Sequence, residues 1–426
     1  MLTQLIEQLN KSKLDGFKII HTQTTAHEFF FIGRQLDMNR RKDVEHTLLT
    51  VYKALEDGKY LGSASQEIHP NQTTTERQKI IDQLVYSAGF VKNPFYHLAG
   101  KQPNSLPEEK PADALPVAEA IIDAVKQVTE YADQNINSYE VFVNEKKVRI
   151  INSNGVDVAY RTLDSQLEII INAKKDGQEI EIYRNYLFGT CDQAYLTKEI
   201  QKTLLIGKDR TEAGNTPNLK RFTVLLGGTN AVKLLSYYTD MTNVGNVYTQ
   251  VSNYQLGKAI MNPGSGDPIT LQAAAALPNS SRNAPYDEDG NFLHDRVLIS
   301  NNICQDFWGS EQHSQYVNQS QAGIYRNFIF AAGRESKAEF LKQPYLQAVE
   351  FSDFQCDFAT GDFAGEIRLA YYFDGKDVKP VTGGSISGNI KDVESELRLS
   401  QERQQYNNYL IPEFLCLTDV GVTGIE

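Results

Sequence analysis

"LEIIINAKKDG", residues 167–177, and "LLTVYKALEDG", residues 48–58, have equal length and carry Leu, Ala and Asp-Gly at the same offsets. Each is an apolar, strand-like run ending in Asp-Gly, the dipeptide that most readily accepts the positive backbone angles of a tight hairpin. The text before them also matches. "SYEVFVNEKKVRIINSNGVDVAY" (138–160) resembles "AHEFFFIGRQLDMNRRKDVEHTLL" (26–49) as strand, charged turn and strand. Both copies continue into a further strand and a helix. The first of these helices lies in "TTTERQKIIDQLVYSAG" (73–89), where Thr73 stands three residues before Glu76 as in a capping box. Its apolar residues Ile80, Ile81, Leu84, Val85 and Ala88 recur at helical spacing. The second helix opens near Asp192. We therefore read residues 1–210 as two copies of a unit of four strands and a helix, with a short amphipathic helix over 2–13 in front.

"KQPNSLPEEKPADALP" (101–116) holds four prolines and reads as a linker before a helix at 117–134. "GKDRTEAGNTPNLK" (207–220) reads as a second linker. Beyond it, "RFTVLLGG" (221–228) is a buried-strand pattern leading into a helix. Most of 265–426 is short strands and glycine turns, with a brief helix near Arg334 to Leu341. The expected class is α+β: a duplicated β-rich/helix N-terminal domain, then a mainly antiparallel β C-terminal domain. The expected units are 1–100, 117–210 and 220–426.

Hydrophobic content of 41% and charged content of 23% are those of a folded chain. A net charge of −12 disfavours nucleic-acid backbones, and the one dense basic run, Arg40-Arg41-Lys42, reads as a solvated turn. "MLTQLIEQLNKSK" lacks the apolar core of a secretory signal, and no window reaches the roughly 18 apolar residues of a membrane span. The four cysteines, Cys191, Cys304, Cys356 and Cys416, form no CxxC pair. Scattered thiols fit a reducing compartment, so the expected location is cytoplasmic.

Self-contained catalytic motifs fail one by one. His27-Glu28 would begin a zinc helix, but the second histidine position holds Phe31, and the text around it is a strand. We read a strand histidine beside a surface glutamate. His294 and Asp295 are neighbours on a strand and point to opposite faces. "YDEDGNFLHD" places Pro285 at the first position of a calcium loop, so it reads as a turn. "TGGSISGN" (382–389) misses the nucleophile-elbow register, because Ile386 stands two before Gly388. Cys416, between leucines, reads as an inert core thiol.

Four stretches together resemble the TldD/PmbA family of metallopeptidase-related proteins, once labelled modulators of DNA gyrase. They are "LLSYYTDMTNVGNVY" (234–248), "PYDEDGNFLHDRVLISNN" (285–302), "ATGDFAGEIRLAYYFDGKDVKPVTGGSISGN" (359–389) and "YLIPEFLCLTDVGVTG" (409–424). The third is the most specific. In the catalytic members the first stretch carries His-Glu-x-x-x-His for zinc. Here Ser236, Tyr237 and Met241 stand at those positions, and "SQERQQYNNYLIP" (400–412) lacks the family's further cysteine ligand. None of the three supplies an imidazole or the carboxylate base.

The helix remains sensible as a packed element. Ala231, Leu234, Leu235, Tyr238 and Met241 share one face, Thr229 or Asn230 suits its start, and Gly245 its end. The resemblance implies a PmbA/TldE-like, non-catalytic subunit, with zinc only in a TldD-type partner. It also implies that such a complex degrades or trims flexible peptides. Strands around Gly361-Asp362-Phe363 and Gly388-Asn389 would hold an extended peptide by strand addition. Two alternatives stand beside this reading. One is a stand-alone peptide-binding scaffold homodimer, and the other a divergent hydrolase using Cys416 or Ser387.

Overall fold

The computed structural model describes residues 1–102 and 112–425. Most of the proline-rich linker at 101–116 therefore lies outside the described residues. The N-terminal half begins with α1 (Leu2–Lys11), β1 (Gly16–Ile32), β2 (Gln35–Leu55), β3 (Tyr60–Glu67), α2 (Thr74–Ala88) and β4 (Asn93–Pro94). It continues with α3 (Ala114–Lys126), β5 (Gln134–Asn152), β6 (Asp157–Lys175), β7 (Gln178–Phe188) and α4 (Gln193–Glu212).

Each copy thus has three long strands, not four. β1 and β2 run 17 and 21 residues, several times the usual five or six, so text that reads as two strands is one. The hairpins fall where Asp-Gly predicts them. Glu56, Asp57 and Gly58 have φ of 51°, 55° and 84°, and Asp176 and Gly177 have 50° and 80°. The capping box forms at α2: the Thr73 side chain accepts from the Glu76 N–H, and the Glu76 carboxylate accepts from the Thr73 N–H.

The copies do not make separate sheets. β1 pairs antiparallel with β5 from Lys18↔Asn152 to Ile32↔Ser138. This fuses them into one seven-stranded sheet, ordered β4-β3-β2-β1-β5-β6-β7, with a pseudo-twofold between β1 and β5. One face is covered at its two ends by different helices. α1 and α2 place Leu5, Leu9, Ile81 and Leu84 over Phe17, Ile19, Leu49 and Val51. α3 and α4 place Ile121, Ile200 and Leu204 over Phe31, Val141, Val143 and Leu167. On the opposite face Val148, Ile150 and Val158 pack against Tyr286 of the C-terminal half, and Lys18 pairs with Asp289 at 2.6 Å.

Two boundaries differ from expectation. α3 spans Ala114–Lys126 instead of 117–134, because the chain must enter β5 at Gln134. α4 runs to Glu212, so the first residues of the expected 207–220 linker are helical. Gly207 lies inside α4 because a Cβ there would come within 3.0 Å of the Ala173 methyl.

The C-terminal half passes through β8 (Gly214–Asn215), β9 (Lys220–Gly227), α5 (Gly228–Met241) and α6 (Val244–Tyr248). Next come β10 (Leu271–Ala274), β11 (Arg296–Ser300), β12 (Ile303–Cys304), α7 (Glu311–Tyr316), β13 (Asn327–Phe330) and α8 (Lys337–Phe340). The chain then forms β14 (Tyr345–Cys356), β15 (Asp362–Phe373), β16 (Val378–Thr382), β17 (Ser385–Asn389) and α9 (Ile390–Val393). It ends in β18 (Arg398–Leu399), β19 (Arg403–Tyr406), β20 (Tyr409–Pro412) and β21 (Phe414–Thr423).

Strands β14-β9-β21-β17-β15 form a run that closes on itself, since β15 also pairs with β14. A separate sheet has the order β12-β11-β10-β13-β20-β19. α5 packs between the two, touching β9, β14 and β21 on one side and β19 and β20 on the other. The class is α+β. Among the described residues no helix is long and apolar enough to cross a membrane.

Candidate functional site

β9 is buried at Val224, Leu225 and Leu226 and turns into α5 through Gly227 and Gly228, the latter at φ 65°. Ala231, Leu234, Leu235, Tyr238 and Met241 form the buried face as the spacing predicts, and Tyr237 and Thr239 are buried with them. The helix ends differ from expectation. Gly227 occupies the N-cap, and Asn230 instead donates to the Val349 carbonyl at 3.2 Å. Thr242 ends the helix, and Gly245 lies inside α6, where its N–H donates to the Asn243 side chain at 2.8 Å.

Ser236, Tyr237 and Met241, which the family resemblance sets against a zinc motif, are all committed elsewhere. Ser236 Oγ donates to the Lys233 carbonyl at 2.8 Å. Tyr237 is a buried phenol, pushed well above its ordinary pKa by desolvation. Met241 is a core thioether. The hairpin of β19 and β20 brings Tyr409 against Thr239, hydroxyl to hydroxyl at 3.4 Å. Trp308 Nε1 donates to the Thr239 carbonyl at 2.8 Å. Hydrolytic zinc wants imidazole, thiolate and carboxylate, and this donor set does not fit it. Among the described residues no group of three His, Cys, Asp or Glu side chains is arranged to hold a metal ion.

The second predicted region is assembled by strand pairing. Asp362 faces Asn389 and Phe363 faces Gly388 across β15 and β17. Asn389 Nδ2 donates to Asp362 Oδ1 at 2.8 Å and to the Thr360 carbonyl at 3.0 Å, while its Oδ1 caps α9 by accepting from the Lys391 N–H. Gly361 has φ 84°. A Cβ on Gly388 would approach the buried Phe363 ring to 2.6 Å. These residues therefore bind each other first. β15 is paired on both edges here, with β14 at Phe363↔Cys356 and with β17 at Phe363↔Gly388. No free backbone edge remains on it for an added strand.

The structure adds residues that no sequence motif marks. Cys356, at the end of β14, feels the charges of both Asp240 on α5 and Asp362 on β15, so the two predicted regions meet across it. Burial pushes its thiol up to about 12, and Asp357, Asp240 and Asp362 add to the shift. Asp240 is raised to about 6 by desolvation. Glu394, 8% exposed, is raised to about 7 by burial and accepts from the Tyr238 hydroxyl at 3.3 Å. The Tyr254 hydroxyl, which senses Glu394 and Tyr237, is buried without a partner. Only an unusually buried glutamate could have signalled this cluster, and burial is not written in a local run.

The discarded motifs find structural uses. Glu28 is not a surface residue: it is 4% exposed and held by Arg40 and Lys42. Two members of the basic run thus form ion pairs on the sheet. Asp287 organises the "YDEDGN" turn by accepting from the N–H groups of Asp289, Asn291 and Ile324. Cys416 is buried. Burial raises its thiol, only partly countered by the Arg398 guanidinium, which donates to its Sγ at 3.2 Å. Ser387 is exposed on β17.

Comparison with known proteins agrees with this architecture. Residues 102–199 match the PmbA/TldA metallopeptidase central domain, and residues 219–424 match the PmbA/TldA metallopeptidase C-terminal domain. The chain belongs to the TldD/PmbA family. An uncharacterized protein of Methanocaldococcus jannaschii is 24% identical over 279 residues, which span 62% of this chain and 64% of that relative, short of two thirds of it. TldE from Thermococcus kodakarensis has the same fold, with a TM-score of 0.79 and 15% identity over 99% of this chain and 100% of that one. A protein from Thermotoga maritima, described as "a putative modulator of a DNA gyrase", superposes with a TM-score of 0.74 and 15% identity over 100% of this chain and 99% of its own. At such identities these two likenesses concern the fold.

Proposed function

We propose that this TldD/PmbA-family chain is a non-catalytic, TldE-like subunit of a zinc metallopeptidase complex that degrades or trims flexible peptides. In this reading zinc and the water-activating base belong to a TldD-type partner, and this chain helps enclose and hold the substrate. The observation that carries the reading is the commitment of Ser236, Tyr237 and Met241 to the helix backbone and the core. Contact with an extended peptide then falls to side chains at the tip where Asp362, Asn389 and Ser387 emerge, since the β15 backbone is already paired.

The test is to purify the chain alone and together with a relative bearing His-Glu-x-x-x-His. Zinc content and cleavage of an unstructured polypeptide are then measured for each. The expected result is cleavage only by the pair, with zinc in proportion to the partner. Stoichiometric zinc and chelator-sensitive cleavage by the chain alone would defeat the reading. Repeated recovery of a homodimer that ignores the relative would favour a stand-alone scaffold.

A further inference from the structure

The two helix pairs stop short of each other and leave the middle of the seven-stranded sheet bare on their face. Apolar positions at either end, Ile19 and Val143, give way there to polar ones. A cavity of about 330 Å³ lies over this gap. That is far more than the roughly 30 Å³ of one water and is at the small end of ligand pockets.

Strand register fixes its floor. Glu45, Gln23, Lys147 and Arg161 stand side by side across β2, β1, β5 and β6. Asp43, Thr25 and Glu145 form the next row. Charge divides across the strands, with Asp43 and Glu45 on β2, Lys147 and Arg161 on β5 and β6, and Glu145 of β5 as the carboxylate among those cations. Arg161 is engaged by Glu145, but its Nε–H is buried and has no partner. Among the described residues Asp43 and Lys147 have no ion-pair partner. His21 lies 3.6 Å from Glu45; burial lowers its pKa despite Glu45, so near neutral pH it brings little positive charge.

An acidic wall and a basic wall facing each other suit a ligand with both charges. Two strand steps separate β2 from β5, about 10 Å at roughly 4.8 Å each. A chain advances at most about 3.3–3.6 Å per residue, so a peptide of up to three residues fits between the walls. We propose that this cavity binds short zwitterionic peptides such as di- or tripeptides, with the terminal carboxylate on Lys147 beside Arg161 and the terminal ammonium on Asp43 and Glu45. Reading only the two termini makes the site tolerant of side-chain identity. Binding requires neither zinc nor a partner subunit, so it stands or falls separately from the peptidase reading.

The experiment is calorimetric titration of the full chain with trialanine, N-acetyl-trialanine and trialanine amide. Saturable one-to-one binding of trialanine is expected, weakened about tenfold or more by blocking either terminus, as befits loss of a charged hydrogen bond. Lys147→Met should weaken trialanine similarly while leaving the amide unaffected, and Asp43→Asn should do the same with respect to the acetylated form. Absence of saturable binding, equal binding of the blocked peptides, or unchanged affinity in Lys147→Met would overturn the proposal. The blocked ligands are compared on the unaltered chain, so the result does not depend on a variant folding.

Discussion

The end of α5 and the central sheet both bury a glutamate, and the two glutamates behave in opposite ways. Glu394, beside α5, has no cation within ion-pairing distance among the described residues. Burial raises its pKa to about 7 even though the Tyr238 hydroxyl and the charge of Lys391 pull it back. For Glu28 on β1 burial also pushes upward, but hydrogen bonds from Lys42 and Arg40 outweigh it and leave the carboxyl below its usual range. A buried acid is tolerated in either of two ways, by staying protonated or by being paired. The core around α5 uses the first and the sheet uses the second. The same contrast separates a tightly packed core from a sheet whose charges pair across the strands.

The largest expected effect tests whether α5 is core. Leu234 is fully buried, so Leu234→Ala should cost about 3–4 kcal/mol in denaturant unfolding. A loss under about 1 kcal/mol would break the comparison. Gly388→Ala comes next. Its methyl would collide with the Phe363 ring, an overpacking cost of about 1–3 kcal/mol. A Phe363→Leu background should recover part of that loss in thermal melts.

The third effect is pH-dependent. An acid whose folded pKa lies above its unfolded value binds extra protons in the native state, so stability falls as pH rises. For Asp240, raised to about 6, and Glu394, raised to about 7, the contribution is full below about pH 4 and gone above pH 7. Glu394→Gln should flatten this decline and stabilise the chain by on the order of 1 kcal/mol at pH 8, allowing for solvent screening. A decline that persists unchanged in Glu394→Gln, followed by melting between pH 4 and 8, would assign it to other groups. The smallest effect belongs to the sheet. Lys147 is exposed, so Lys147→Met should shift stability by no more than about 0.5 kcal/mol, and a larger loss would mean the sheet middle is part of the packed core.

Legibility in the sequence followed the range of the interaction. Asp57-Gly58 and Asp176-Gly177 marked the hairpins because turn chemistry is decided within a few residues. Thr73 and Glu76 marked a helix start for the same reason. The face of α5 was readable from its period. Its ends were not, because β9 delivers the chain through Gly227 and the Val349 carbonyl claims Asn230. Strand number was misjudged where β1 and β2 are far longer than ordinary strands. Glu28 was misplaced because its burial depends on Arg40 and Lys42 across the register. The tip residues Asp362 and Asn389 were both singled out, but their mutual hydrogen bond, and the loss of a free edge on β15, belong to the closed ring of strands.

By itself the sequence determined the duplication, the hairpins, the capped helix and the apolar face of α5. Those features depend on residue identity and short-range spacing. The tertiary structure alone decided that two copies share one sheet, that their helices leave a charged gap between them, and that Tyr238 meets Glu394 across 156 positions. Such contacts arise from long-range pairing and packing, where loop closure and burial act on the whole chain at once.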